Sequence, residues 1–177
     1  MVTWDEVVRP VLAAVAERWA ATGEGVEIEH LLTECLIRAF DHATLTLPPE
    51  VNPRPVLLAC VPGDTHSLPL TALTAALAEQ RVGAHLLGVG LPQAALAAAV
   101  RRTAPVATMV WTQAPADADA VGPILTMHPR GRWFAGGPGW STRGLPPAVV
   151  HPTSLQHATT VLTDTALGRL PYSDQDM

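Results

Sequence analysis

A chain of 177 residues with 48% apolar and 15% charged side chains can fill a hydrophobic core, which excludes global disorder. Its net charge of −5, with 11 basic residues scattered in short pairs such as Arg101-Arg102, argues against nucleic-acid binding, which needs a clustered cationic face; no helix-turn-helix pattern is present either. No apolar run approaches the roughly 20 residues that span a membrane, and the acidic opening Met1-Val2-Thr3-Trp4-Asp5-Glu6 lacks the basic-then-apolar order of a secretion signal, so a cytoplasmic protein is expected.

Thr3-Trp4-Asp5-Glu6 reads as a capping box that opens a helix. Val7, Val8, Val11, Leu12, Val15 and Trp19 keep to one face of it, Pro10 is positioned to kink it, and Gly23-Glu24-Gly25 ends it. A second helix carries Ile28, Leu31, Leu32, Cys35, Leu36, Ala39 and Phe40 at three- and four-residue spacing, with Glu24 and Glu27 suited to its positive N-terminal end. Two helices cannot bury both of their faces alone, so a sheet, further helices or another chain must cover them. The proline-rich segment Leu47–Pro55 reads as a linker.

Beyond the linker, strands alternate with helices. Strands are expected at Pro55–Val61, Ala84–Gly88, Val106–Thr112, Arg132–Ala135 and Ala148–Val150. Helices are expected at about Ser67–Arg81, Pro92–Thr103, Ala116–His128 and Thr153–Leu167. Near-continuous apolar strands separated by helices indicate an α/β fold: a flavodoxin/Rossmann-like five-stranded parallel sheet with helices on both faces, preceded by a small helical cap. The boundaries that follow are a cap over residues 1–47, a linker over 48–55, a sheet domain over 56–170 and a flexible tail over 171–177. Cys35 and Cys60 both sit in apolar patterns and read as reduced core thiols.

Two spacings carry the chemistry. Asp64-Thr65-His66 follows the first strand, where a carboxylate two residues before a histidine can hold one ring nitrogen and leave the other as an oriented metal ligand. Upstream, Trp19 is followed after nine residues by Glu29-His30. The other histidines, His42, His85, His128, His151 and His157, show no paired spacing and read as structural or solvated. Leu86-Leu87-Gly88-Val89-Gly90-Leu91-Pro92 lacks the Lys-Ser/Thr of a phosphate loop, and no nucleophile–base pair of the hydrolase type is visible.

Together the two spacings resemble the cobalamin-binding part of MerR-type, light-sensing transcriptional regulators, and the resemblance covers roughly residues 4–165. It implies that His66 is the lower axial ligand of cobalt in an Asp/Glu-x-His-x-x-Gly loop, with Asp64 and Thr65 beside it and Pro69 where the glycine is usual. It implies that Gly136-Gly137 lets the cofactor's nucleotide tail pass against backbone. The family's Ser-x-Leu/Thr at the end of the third strand aligns with Trp111-Thr112-Gln113, so a bulky indole stands at the serine position. Trp19, Glu29 and His30 are expected over the upper face, around an adenosyl group. Ala20 replaces the histidine that usually follows the Trp, which removes the second cobalt ligand of the photoproduct; His30 is a candidate substitute.

The resemblance makes this chain a cobalamin-binding sensory domain, with adenosylcobalamin as cofactor and a transcriptional regulator or partner protein under its control. No catalytic activity of its own is expected, and a homo-oligomer or partner would meet the helical cap. Two rivals remain. A corrinoid methyl-carrier would share Asp64 and His66 but present its upper face to a methyltransferase. A repurposed scaffold, or a binder of another small molecule, would explain Trp111, Pro69 and Ala20 together.

Overall fold

The computed structural model describes residues 3–116, 122, 131–141 and 145–169. The expected helix around Ala116–His128 and the tail 171–177 lie outside them, apart from Ala116 and Gly122. Five parallel strands form one sheet in the order β2-β1-β3-β4-β5. They are β1 (Val56–Cys60), β2 (Ala84–Leu86), β3 (Ala107–Trp111), β4 (Trp133–Gly136) and β5 (Val149–Val150). This is the flavodoxin order expected from the sequence, and every strand falls within a residue or two of its expected place. β1 and β3 are central, and the chain crosses over in opposite senses from each, which opens a crevice beyond their C-terminal ends.

Both faces of the sheet are covered. Helix α3 (Leu68–Glu79) and helix α5 (Leu155–Ala166) pack one face, where Leu70, Leu73, Leu77, Val161 and Leu162 meet Val56, Leu58, Cys60 and Met109. Helix α4 (Gln93–Thr103) packs the other, where Leu96, Ala97 and Val100 meet Leu57, Ala59, Val110 and Trp133. β1 is buried along its whole length because it lies between both layers.

The cap differs from its expectation at the start. Thr3 has helical backbone angles (φ −56, ψ −38) and its side chain caps nothing, so the capping box does not form; a capping residue needs extended backbone. Instead Trp4–Val8 is a π-helical turn, closed by the Arg9 amide on the Trp4 carbonyl. Pro10 explains the wide turn, since it has no N–H to continue the regular ladder at the start of α1 (Arg9–Thr22). Helix α2 (Val26–Leu45) follows the Gly23-Glu24-Gly25 turn and packs on α3. Cys35 is exposed rather than a core thiol, because α3 and α1 cover only part of α2; Cys60 is buried as expected.

Helix lengths place the cap relative to the sheet. Thr44 and Leu47, at the C-terminal end of α2, line a cavity of about 350 Å³ with Thr74, Ala78 and Arg81, towards the C-terminal end of α3. The two helices therefore run in the same direction, but α2 has 20 residues and α3 has 12. At ~1.5 Å per residue, the eight extra residues of α2 carry its N-terminal end about 12 Å past the start of α3. Glu29 and His30 lie on that overhang. Trp4 meets Phe40 with ring centroids 6.3 Å apart and planes tilted by 51°, so α1 runs back along α2 and brings Trp19 to the same end.

Candidate functional site

The loop after β1 begins with a tight turn. Pro62 and Gly63 are its central residues, Gly63 has φ +88, and the Asp64 amide donates to the Val61 carbonyl at 3.1 Å. Proline pre-sets the first central position of such a turn, and glycine alone adopts the second without strain. The turn drives Asp64 back into the protein, where its side chain is only 2% exposed.

Each oxygen of Asp64 does a separate task. Oδ1 accepts from the His66 amide at 2.8 Å and pairs with His66 Nδ1 at 2.9 Å. Oδ2 accepts from the amides of Gln113 at 2.6 Å and Ala114 at 3.3 Å, and from the Thr112 hydroxyl at 3.1 Å. That hydroxyl has one proton, which the Ala114 carbonyl at 2.7 Å also attracts. Asp64 thus ties the exit of β1 to the exit of β3, across the crevice between the central strands. Burial alone would raise its pKa, but the amides of His66 and Gln113, the His66 ring and the Ala114 amide outweigh it and hold the carboxyl down to about 2. Nearby, burial and then the Asp64 charge push the Cys60 thiol up to about 11, so it is an inert neighbour.

An ionised carboxylate on Nδ1 assigns the ring proton to that atom and leaves the Nε2 lone pair free. The His66 side chain is 59% exposed, and Nε2 has no protein partner among the described residues. The loop therefore offers one oriented imidazole nitrogen beyond the C-terminal end of β1. Thr65 beside it is exposed, and its carbonyl accepts from the Ser67 amide at 3.0 Å. Pro69 occupies the first turn of α3, where its missing N–H costs no helical bond, so the loss of the usual glycine leaves the loop intact.

The upper residues are arranged more loosely. Trp19 lies in the last turn of α1 and is 52% exposed. Glu29 accepts from the Thr33 hydroxyl at 3.0 Å and lies 3.9 Å from the exposed His30 ring. Among the described residues no hydrogen bond or ion pair joins these three to the Asp64–His66 loop. The direction of α1 and α2 turns the ends that carry these three residues toward the end of α3 where the His66 loop lies.

Gly136 and Gly137 sit where the sequence places them, but the space beside them is taken. Cys60, Trp111 and Gly136 are in register on neighbouring strands, and Trp111 packs against the α3/α5 core. A Cβ on Gly136 would lie 3.0 Å from Met109 Sδ and 3.1 Å from Trp111 Cε3. One on Gly137, where φ is +101, would lie 3.1 Å from Trp111 Cδ2 and collide with the Thr112 carbonyl oxygen. The two glycines make room for the indole and for the β3 exit, not for an open slot. The indole Nε1 is buried there without a partner among the described residues, at a cost of about 1–3 kcal/mol.

Sequence reading overlooked three supports of this edge. The Gln113 and Ala114 amides carry no side-chain signal at all. Trp140 is buried and donates from Nε1 to the Gly136 carbonyl at 2.9 Å and the Val110 carbonyl at 3.2 Å, and the Gly139-Trp140 pair after the glycines was its only cue. His151 holds the Ala135 carbonyl at 2.7 Å through Nδ1.

A five-stranded parallel sheet under a helical cap, with a buried carboxylate and an oriented imidazole at its C-terminal edge, defines a Rossmann-like architecture. Solved structures of the same fold include the methanol:cobalamin methyltransferase complex MtaBC from Methanosarcina barkeri, matched over 94% of this chain and 67% of that one at 13% identity and a TM-score of 0.58. The monomethylamine corrinoid protein of the same organism matches over 86% and 77% at 12% identity and a TM-score of 0.59. A cobalamin-binding protein from Desulfitobacterium hafniense matches over 87% and 77% at 16% identity and a TM-score of 0.52. In sequence, the chain is 34% identical over 97 residues to the HTH-type transcriptional repressor CarH of Myxococcus xanthus, covering 55% of this chain. The chain spans 32% of the length of that relative. It matches no family model. The resemblance read from the two motifs thus agrees with these neighbours at the level of the fold, and no helix among the described residues is long and apolar enough to cross a membrane.

Proposed function

We propose that this chain is a cobalamin-binding sensory domain in which His66 Nε2 is the lower axial ligand of cobalt. The carrying observation is the Asp64 clasp: one oxygen orients His66 at 2.9 Å while the other is anchored on the β3 exit. The donor set suits a cobalt held in a flat macrocycle, which needs one neutral nitrogen from below rather than a cage of ligands. Among the described residues no group of three or more His, Cys, Asp or Glu side chains could hold a free metal ion. The nucleotide tail fits less well, because Trp111 fills the space beside Gly136 and Gly137.

Trp19, Glu29 and His30, on the overhang of the cap, are the residues proposed to cover the upper ligand. Bound adenosylcobalamin supplies a weak cobalt–carbon bond. The chain's own part is to hold the ring from beneath, to shield that bond with the Trp19 indole and to offer Glu29 and His30 to the adenosyl group. In this reading the occupied or illuminated state changes how the cap meets a regulator, a partner protein or a second copy. The chain itself neither binds DNA nor catalyses a reaction. The partial match to a transcriptional repressor supports the sensory role. A carrier role has its own support: Trp19 and His30 are exposed, as a face presented to a second protein would be.

The test is a visible spectrum of the purified protein with adenosylcobalamin in the dark, followed by illumination. A retained corrin whose spectrum changes with light is the expected result. Retention of methylcobalamin alone would favour the carrier. His66→Ala should abolish the histidine-ligated spectrum while leaving the fold intact, since the ring is mostly solvated. An unchanged spectrum in that variant, or no retention of any corrinoid by the parent protein, overturns the proposal.

A further inference from the structure

Trp111 decides more than the shape of one strand end. Its indole lies between two fixed surfaces. One is the Gly136-Gly137 backbone, where Cβ positions fall 3.1 Å from the ring; the other is the cluster of α3 and α5 side chains on the same face of the sheet. A flat group inserted between ring and glycines would need about 7 Å, twice the ~3.5 Å of carbon–carbon contact. The glycines cannot recede either. Beside Gly137 there is no room even for a Cβ, which would collide with the Thr112 carbonyl, and the Gly136 carbonyl is held by Trp140 Nε1 at 2.9 Å and by the Thr112 amide at 3.0 Å. The imidazole of His66 is free of this obstruction, since its loop stands outside the sheet and is solvated.

Resting on the proposed function, we infer that Trp111 is a specificity-determining residue which keeps the nucleotide tail of a corrinoid out of the sheet–helix cleft. The site then holds its ligand by the ring face and by His66 alone. Its ligand class is corrinoids irrespective of the lower tail, including tailless ones. A domain of this kind responds to the total pool of cobalt corrins rather than to finished cobalamin.

The experiment titrates the purified chain in the dark with adenosylcobalamin and with adenosylcobinamide, which has the same ring and upper ligand and no nucleotide. Binding is read from visible absorption, and circular dichroism checks the fold of each variant. The two Kd values are expected to agree within about threefold, well under the tenfold that 1.4 kcal/mol represents. Trp111→Ser, which opens the cleft, is expected to favour adenosylcobalamin by about tenfold or more. Trp111→Phe, which keeps an aromatic wall, should preserve the near-equal ratio. If the parent chain binds adenosylcobalamin at least about tenfold more tightly than adenosylcobinamide, the inference fails while the proposed function stands. If a folded Trp111→Ser protein keeps the parent ratio, Trp111 is not the determinant. Binding of neither corrinoid overturns both readings. Should the serine variant not fold, the parent and phenylalanine ratios decide alone.

Discussion

Helices α2 and α3 lie side by side, yet α3 buries eight of its 12 residues and α2 buries none of its 20. Leu70 on α3 is wholly inaccessible, whereas Leu31 on α2 is 67% exposed. Both helices carry an apolar stripe; what differs is how many layers meet it. α3 is pressed between sheet and cap, while α2 has α3 on one side, part of α1 on another and solvent elsewhere. A region whose apolar groups stay wet contributes little to folding and remains free to respond to something bound beneath it. A region whose apolar groups are all buried supplies the rigid edge on which Asp64 and His66 are held.

That contrast can be broken most sharply in the core. Leu58→Ala, in the central strand, should cost about 2–5 kcal/mol, whereas Leu31→Ala on the overhang should change stability by no more than about 0.5 kcal/mol. Urea midpoints of the two variants measure the difference, and equal losses would show that the cap is as tightly packed as the sheet. Next in size, Asp64→Asn should cost about 1–3 kcal/mol, because an amide presents an N–H to the donors that the carboxylate accepts. The folded carboxyl, at about 2, lies below the ordinary ~3.9, so its stabilisation is complete above about pH 4 and is lost as the pH falls through 2. The gap in urea midpoint between parent and Asp64→Asn should therefore narrow between pH 5 and pH 2; a gap independent of pH would refute the clasp. The smallest effect is chemical. Iodoacetamide should modify Cys35 in the native protein and leave Cys60 unmodified until unfolding, a difference that mass spectrometry of the labelled chain resolves.

The site was only partly legible in the chain. Asp64 and His66 could be paired from their spacing because a two-residue reach is local, and the Pro62-Gly63 turn that aims them is local too. The second task of Asp64 could not be read, since its partners are backbone amides 49 and 50 residues away in sequence and a hydroxyl 48 away. Gly136-Gly137 suggested an open slot because glycines signal close approach, but nothing in a linear pattern says what approaches. Trp111 was recognised as an obstacle by volume alone, and its seat against both glycines depends on the register of β1, β3 and β4. The capping box at Thr3 failed for a related reason: four matching residues do not impose the extended backbone that a cap requires.

Apolar periodicity, turn dipeptides and motif order were enough to determine five strands, the helices that cover them, and a histidine loop at the first crossover, because each depends on chemistry within a few residues. Strand order brought the β1 and β3 exits together around one carboxylate and set an indole against two glycines. Those are contacts between distant segments, and only the packed sheet, in which register along one strand fixes the neighbour on the next, could decide them.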